Sequence, residues 1–217
     1  RDIVFAYDNE VALICEKVGL DTNEVINASN SSYDRAKIPS PGFVGGLCLQ
    51  KDPHILSECI SKTDYIPKII TKGREMNEYL VDYVLGRIKG KTTPKDKVFV
   101  SGLAFKGRPE TDDIRASPSM ELVDRLKMEG YDNLYVHDFV VDSKKLKSRG
   151  YLPVSLEQGF KDARCVLIGN NNEKYSYIDI EKYIGLMERN SLFFDIWNIF
   201  DSKLIERNGI TYAGIGK

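Results

Sequence analysis

The sequence predicts an α/β protein in two parts: a helical first part built around one long helix, then a parallel, doubly wound sheet. Three observations carry this. Apolar residues recur at helical spacing as far as Ile88. The polar segment GKTTPKDK then interrupts the pattern. Beyond it, short runs rich in Val, Ile and Phe alternate with helical stretches.

The elements follow in order. Residues 2–19 read as one amphipathic helix with Gly19 as its C-cap. Asp21 or Thr22 caps a second helix reaching about Ala28. The stretch SNSSYDRAKIPSPGFVGGLC has neither a helical nor a strand period and reads as an ordered loop. Helical periodicity resumes near Pro53 and runs to Ser61, and a long helix follows from about Tyr65 to Ile88. A helix of that length suits a spine between domains or a surface for a second copy of the chain. The domain boundary falls in the polar segment, giving a helical domain at 1–92 and a sheet domain at 93–217. Strands are expected at 97–101, 134–137, 165–168, 192–194 and 210–213, with a helix from Pro118 to about Glu129.

Composition narrows the function classes. The 217 residues carry 31 Lys and Arg against 32 Asp and Glu, a net charge of -1. That balance argues against a general nucleic-acid binder but leaves room for a local cationic pocket. No apolar run approaches the roughly 18 residues of a membrane span. The N-terminus is not a signal peptide, because Asp8, Asn9 and Glu10 break its apolar stretch. There is no initiating Met, and the chain is expected to begin partway through a longer protein. Cys15, Cys48, Cys59 and Cys165 form no CxxC pair, so reduced thiols in a cytoplasmic protein are expected. Cys15, Cys59 and Cys165 read as core residues.

Cys48 is different. It follows Gly42, Gly45 and Gly46, which let a backbone turn sharply and approach a ligand closely. If a helix starts at Cys48, Asp52 lies one turn on and the helix N-terminus favours thiolate. Alternatively Asp52 is the N-cap and Pro53 the first helical residue. The second informative stretch is VFVSGLAFKGRPETDDIRASP. A strand delivers Gly102 and Lys106 into a loop, and Ser117-Pro118 opens a helix whose N-terminus is a natural phosphate site. Arg115 is read as a brace for Asp112 or Asp113, and Lys106 as a ligand contact. The GxGxxG dinucleotide fingerprint is absent here.

Both stretches resemble the UDP-glucose/GDP-mannose dehydrogenase family. The first matches its motif PGxGxGGxCxxxDxxxL through Pro41, Gly42, Gly45, Gly46, Cys48, Asp52 and Leu56, departing at Val44 and Leu47. The second matches GLAFKxxTDDxRxSP with a longer spacing between Lys106 and Thr111. The likeness extends through Asn9-Glu10 and Arg74–Asn77. It implies a Rossmann-like UDP-binding domain after the central helices, a UDP-sugar substrate and a homodimer formed through those helices. It also implies oxidation of a sugar C6 alcohol to a carboxylate with two NAD+.

The resemblance assigns Cys48 as the nucleophile that forms a thiohemiacetal and then a thioester. It assigns Asp52 to positioning or activating water, and Arg35, Phe43, Val44, Gly45, Gly46 and Lys106 to the substrate. The NAD domain and a catalytic Lys are expected to precede Arg1, with no cofactor-binding residue in this chain. Trp197 stands where relatives carry a substrate-binding Arg. Lys51-Asp52 leans toward a UDP-glucose substrate, whereas Asp52-Pro53 and Thr111–Asp113 favour an N-acetylhexosamine. The alternative reading is a dimerising module that binds a nucleotide sugar without chemistry.

Overall fold

Residues 1–33 and 35–217 are described by the computed structural model. Helix α1 (Asp2–Val18) stops at Gly19, which adopts a left-handed conformation with φ 72°. Helix α2 (Thr22–Asn30) starts where the Asp21 carboxylate accepts the N–H groups of Asn23 and Glu24. The stop of α1 and the start of α2 follow the sequence signals for caps.

Helix α3 (Leu47–Cys59) departs from the periodicity. It begins at Leu47 rather than near Pro53, so Asp52 is not its N-cap and Pro53 lies inside it. A proline there deprives the Leu49 carbonyl of its helical donor. The Arg74 guanidinium supplies a replacement at 3.1 Å. A side chain from another helix thus lets α3 continue, which local sequence rules cannot anticipate.

Helix α4 (Lys68–Lys89) is the long spine. Gly73 lets Ile3 and Ala6 of α1 pack closely against its first half. Its second half buries Leu80, Val84 and Ile88 in one apolar cluster with Val98, Val100, Leu122 and Leu167 of the following part.

Strands β1 (Val98–Ser101), β2 (Leu134–His137), β3 (Cys165–Ile168), β4 (Leu192–Asp195) and β5 (Thr211–Gly214) form one parallel sheet, ordered β2-β1-β3-β4-β5. Helix α5 (Pro118–Met128) and the four short helices α6 (Ser143–Lys147), α7 (Leu156–Phe160), α8 (Ile180–Ile184) and α9 (Ser202–Arg207) connect the strands. β1, β3 and β4 are buried at every position because both sheet faces are covered. Val98 and Val100 face the α4–α5 side, and Phe99 faces a second cluster with Phe160, Val166 and Phe193. The chain leaves β1 in one direction and β3 in the other. Their carboxyl ends therefore flank the crevice where open α/β sheets receive ligands.

Cys15 and Cys165 are buried, as read from the sequence. Cys59 is not: it ends α3 on the surface. Its reading as core fails because α3 has no buried residue at all. Among the described residues no helix is long and apolar enough to cross a membrane.

Candidate active site

Gly46 is the N-cap of α3, with φ 96°, so Leu47 and Cys48 occupy the first helical turn. Cys48 is exposed. Asp52 stands one turn further along the same helix, also exposed, and its carboxylate accepts a hydrogen bond from Lys51 Nζ at 2.6 Å. That bond raises the Lys51 ammonium above its ordinary value. Of the two alternatives left by the sequence, the helix spanning both Cys48 and Asp52 is the one observed.

The glycines make close approaches, but to protein rather than to open space. A Cβ on Gly42 would lie 2.6 Å from the Trp197 ring. One on Gly45 would lie 2.5 Å from Pro118 Cδ and 2.8 Å from the Ala116 carbonyl oxygen. One on Gly46 would lie 2.9 Å from the Phe105 ring. The Gly46 N–H donates to the Ala116 oxygen at 2.9 Å, and Gln50 Nε2 reaches the same oxygen at 3.3 Å. The cysteine loop is therefore docked on the second motif. Cys48 lies two residues past Gly46, and Lys106 follows Phe105 directly. One contact between ring and glycine separates the segments that carry them.

The second motif is wired from below. Gly102, with φ 93°, sits against Asn170 at the carboxyl ends of β1 and β3. Asp138, just past β2, accepts the N–H groups of Leu103 and Ala104 at 2.7 and 3.0 Å, and those of Val140 and Val141. Lys106 is half-buried, with its ammonium 5.3 Å from the Phe105 ring centroid. Arg115 pairs with Asp113 through two guanidinium nitrogens at 2.9 and 2.7 Å, and the Asp113 carboxyl is held down at about 2 by those bonds. The bracing role read for Arg115 is the one observed, with Asp113 as its partner.

The N-terminus of α5 corrects one expectation. Ser117 caps it and Pro118 opens it, as read. It is not open to a phosphate, because Gly45 packs on Pro118 and Gly46 bonds to Ala116. The acid past β2 is committed to the backbone of its own loops, accepting four N–H groups there.

A buried polar network, built from the Asn9 and Arg74–Asn77 segments, holds the other side of the loop. Asn9 clamps the Gly42 peptide from both edges, accepting its N–H at 2.9 Å and donating to its carbonyl at 3.1 Å. Asn9 Nδ2 also donates to Asn77 Oδ1, and Asn77 Nδ2 donates to Asp2 Oδ1. Arg74 bonds the same Asp2 oxygen at 2.8 Å and, through Leu49, holds the first turns of α3. The available signal was polar residues on the buried stripes of two helices: Asp2 and Asn9 on α1, Arg74 and Asn77 on α4.

The remaining expected contacts separate. Phe43 and Val44 are buried, main chain and side chain together. Arg35 is exposed on the loop before the glycines. Trp197 donates from Nε1 to the Gly169 oxygen at 3.3 Å and lies over Gly42.

Two family models describe this arrangement. The central-domain model of the UDP-glucose/GDP-mannose dehydrogenase family matches residues 1–79, and the family's UDP-binding-domain model matches residues 99–202. The chain belongs to that family. A UDP-N-acetyl-D-mannosamine dehydrogenase of Methanocaldococcus jannaschii is 31% identical over 225 residues, covering 100% of this chain and 48% of the relative. A UDP-N-acetyl-D-glucosamine 6-dehydrogenase of Salmonella typhi is 27% identical, covering 90% of this chain and 47% of the relative. Among solved structures, the UDP-D-ManNAc dehydrogenase of Pyrococcus horikoshii superposes with a TM-score of 0.82 at 27% identity, over 100% of this chain and 49% of its own. The chain thus spans about half the length of the relatives it matches.

Proposed function

We propose that this chain is the substrate-holding, nucleophile-carrying half of an NAD-dependent nucleotide-sugar 6-dehydrogenase. Residues 1–92 supply the nucleophile and a dimer surface, and residues 93–217 hold the UDP moiety. The observation that carries the reading is the docking of the cysteine loop on the Lys106 loop through Gly45, Gly46, Phe105 and Ala116. Two motifs far apart in sequence meet there, with an exposed thiol beside them.

The overall reaction takes a C6 alcohol to a carboxylate in two oxidations, each passing a hydride to NAD+. The GxGxxG fingerprint is absent from the β1–α5 unit, and in this reading the dinucleotide is held by protein outside this chain. Between the oxidations Cys48 adds to the aldehyde carbon as thiolate, forming a thiohemiacetal; loss of its hydride gives a thioester. Water then attacks the thioester carbonyl, and the thiolate leaves as the carboxylate forms. Asp52, one turn from Cys48, orients that water or accepts its proton. Lys106 pairs with the diphosphate. Exposed Arg35 contacts the substrate, in this reading by reaching across a dimer. Exposed Ile3, Tyr7, Ile55, Leu56, Ile66 and Ile69 leave the helical part with apolar surface for a second copy and for the dinucleotide-holding part. An N-acetylhexosamine nucleotide is the preferred substrate, in keeping with the named relatives.

The test uses the full-length protein with UDP-N-acetylhexosamines and UDP-glucose. Cys48→Ser is expected to abolish formation of the carboxylate while leaving UDP-sugar binding within about threefold, since a hydroxyl is a far weaker nucleophile here. Undiminished NADH production by that variant would refute the catalytic reading. An inert wild-type Cys48 in a protein that still binds UDP-sugars would point to the non-catalytic module instead.

A further inference from the structure

Trp197 has a place in the geometry that no substrate contact explains. Its indole fills the space where a side chain on Gly42 would begin, with three ring atoms 2.6–2.7 Å from that position. Asn9 holds both polar edges of the same residue. Gly42 is therefore fixed on three sides, and from it the buried loop runs through Gly46 to Cys48 in the first turn of α3.

The indole is itself anchored at two strand ends. Its Nε1 donates to Gly169, just past β3, and its backbone N–H donates to Asp195 Oδ1 at the end of β4. Asp195 is fully buried and also accepts the Phe200 N–H and the Tyr212 hydroxyl, so the turn presenting the indole is rigid. Few free torsions remain between the sheet and Gly42.

We infer that Trp197 is a positioning residue: it transmits the rigidity of the β3 and β4 ends to the cysteine loop and so fixes where the Cys48 thiol stands. The inference rests on the proposed role of Cys48, but its first readout does not require turnover. A displacement of the order of 1 Å at a reacting group can cost about a hundredfold in rate. A strut at Gly42 is well placed to prevent one.

The experiment compares wild type, Trp197→Ala, Trp197→Phe, Gly42→Ala and the double variant Gly42→Ala/Trp197→Ala in the full-length protein. Alkylation of Cys48 by iodoacetamide is followed by peptide mass spectrometry, with exposed Cys59 as the internal reference. Trp197→Ala is expected to change the Cys48 rate by about threefold or more with Cys59 unchanged. It is also expected to lower kcat by about tenfold or more with KM within about threefold. Trp197→Phe, which keeps a ring over Gly42, should recover most of both. Gly42→Ala should act in the same direction by displacing the indole, and the double variant, with room for the added methyl, should lie closer to wild type than Gly42→Ala does. Equal changes at Cys48 and Cys59, a pure KM effect, or failure of the double variant to recover would overturn the inference. If Cys48→Ser proves fully active, the proposed chemistry fails, yet the alkylation result still decides whether Trp197 positions the thiol.

Discussion

Pro41–Gly46 is buried at every residue, whereas the helix that follows it, Leu47–Cys59, has no buried residue. The change happens within one peptide. Before it, the backbone is gripped from above by Asn9 and Trp197 and from below by Phe105, Ala116 and Pro118. After it, Leu47, Ile55 and Leu56 are each more than 40% exposed. The contrast shows how an exposed side chain, here that of Cys48, can follow directly on a tightly held backbone. The loop before it carries the precision, and the helix after it faces surface that this chain does not cover.

The most damaging way to break this arrangement is at Arg74, which ties the first turns of α3 to the buried network behind the loop. Arg74→Met leaves Asp2 buried without its cation and the Leu49 carbonyl without a donor. The expected loss is about 3–5 kcal/mol, as for other broken buried ion pairs. Faster amide hydrogen exchange should spread through residues 47–59 before global unfolding; unchanged protection there would show that α3 does not depend on Arg74.

Gly45→Ala attacks the buried region alone. Its methyl would meet both Pro118 and the Ala116 carbonyl, and a backbone atom cannot swing aside as a side-chain end can. Overpacking of this kind costs about 1–3 kcal/mol, which lowers Tm by roughly 2–12 °C in a chain of this size. A Tm within a degree of wild type would mean the two motifs are less firmly docked than the contact implies.

Asp8 gives a pH-dependent measurement next to Asn9. It is fully buried, and burial pushes its carboxyl from 3.8 to about 8 against a smaller opposing pull from the Asn9 backbone N–H. The folded protein keeps this proton between pH 4 and 8 whereas the unfolded chain has lost it. Asp8 therefore costs stability progressively as pH rises through that window, and the full cost is present above pH 8. Asp8→Asn should raise Tm most at pH 8.5, by an amount on the order of 2 kcal/mol or more in stability, and much less at pH 5. An equal effect at both pH values would show that charge is not the cause.

The smallest effect belongs to the exposed region. Leu56→Gln or Ile55→Ser should change the stability of this chain by less than about 0.5 kcal/mol, as surface substitutions do. If that face is covered in the full-length protein, the same changes should weaken its assembly measured by sedimentation. A large stability loss in the chain by itself would contradict the exposure seen here.

Element type and order were readable because they rest on local chemistry: Gly19 ending α1, Asp21 capping α2, Ser117-Pro118 opening α5, and the apolar runs of β1 to β4. The start of α3 was not, because its internal proline is tolerated only with help from Arg74. The exposure of Cys59 was missed for a related reason. Cysteine usually seeks a core, but no core lies beneath α3 in this chain.

The sequence by itself determined that a glycine-flanked thiol lies ahead of a parallel sheet and that Ser117-Pro118 starts a helix. Both follow from backbone freedom and capping, which act over a few residues. Only the tertiary structure decided what those glycines approach, that the α5 N-terminus is covered, and that Trp197 and Asn9 converge on Gly42. Those outcomes depend on close packing between segments far apart in the chain, and no short-range pattern encodes that packing.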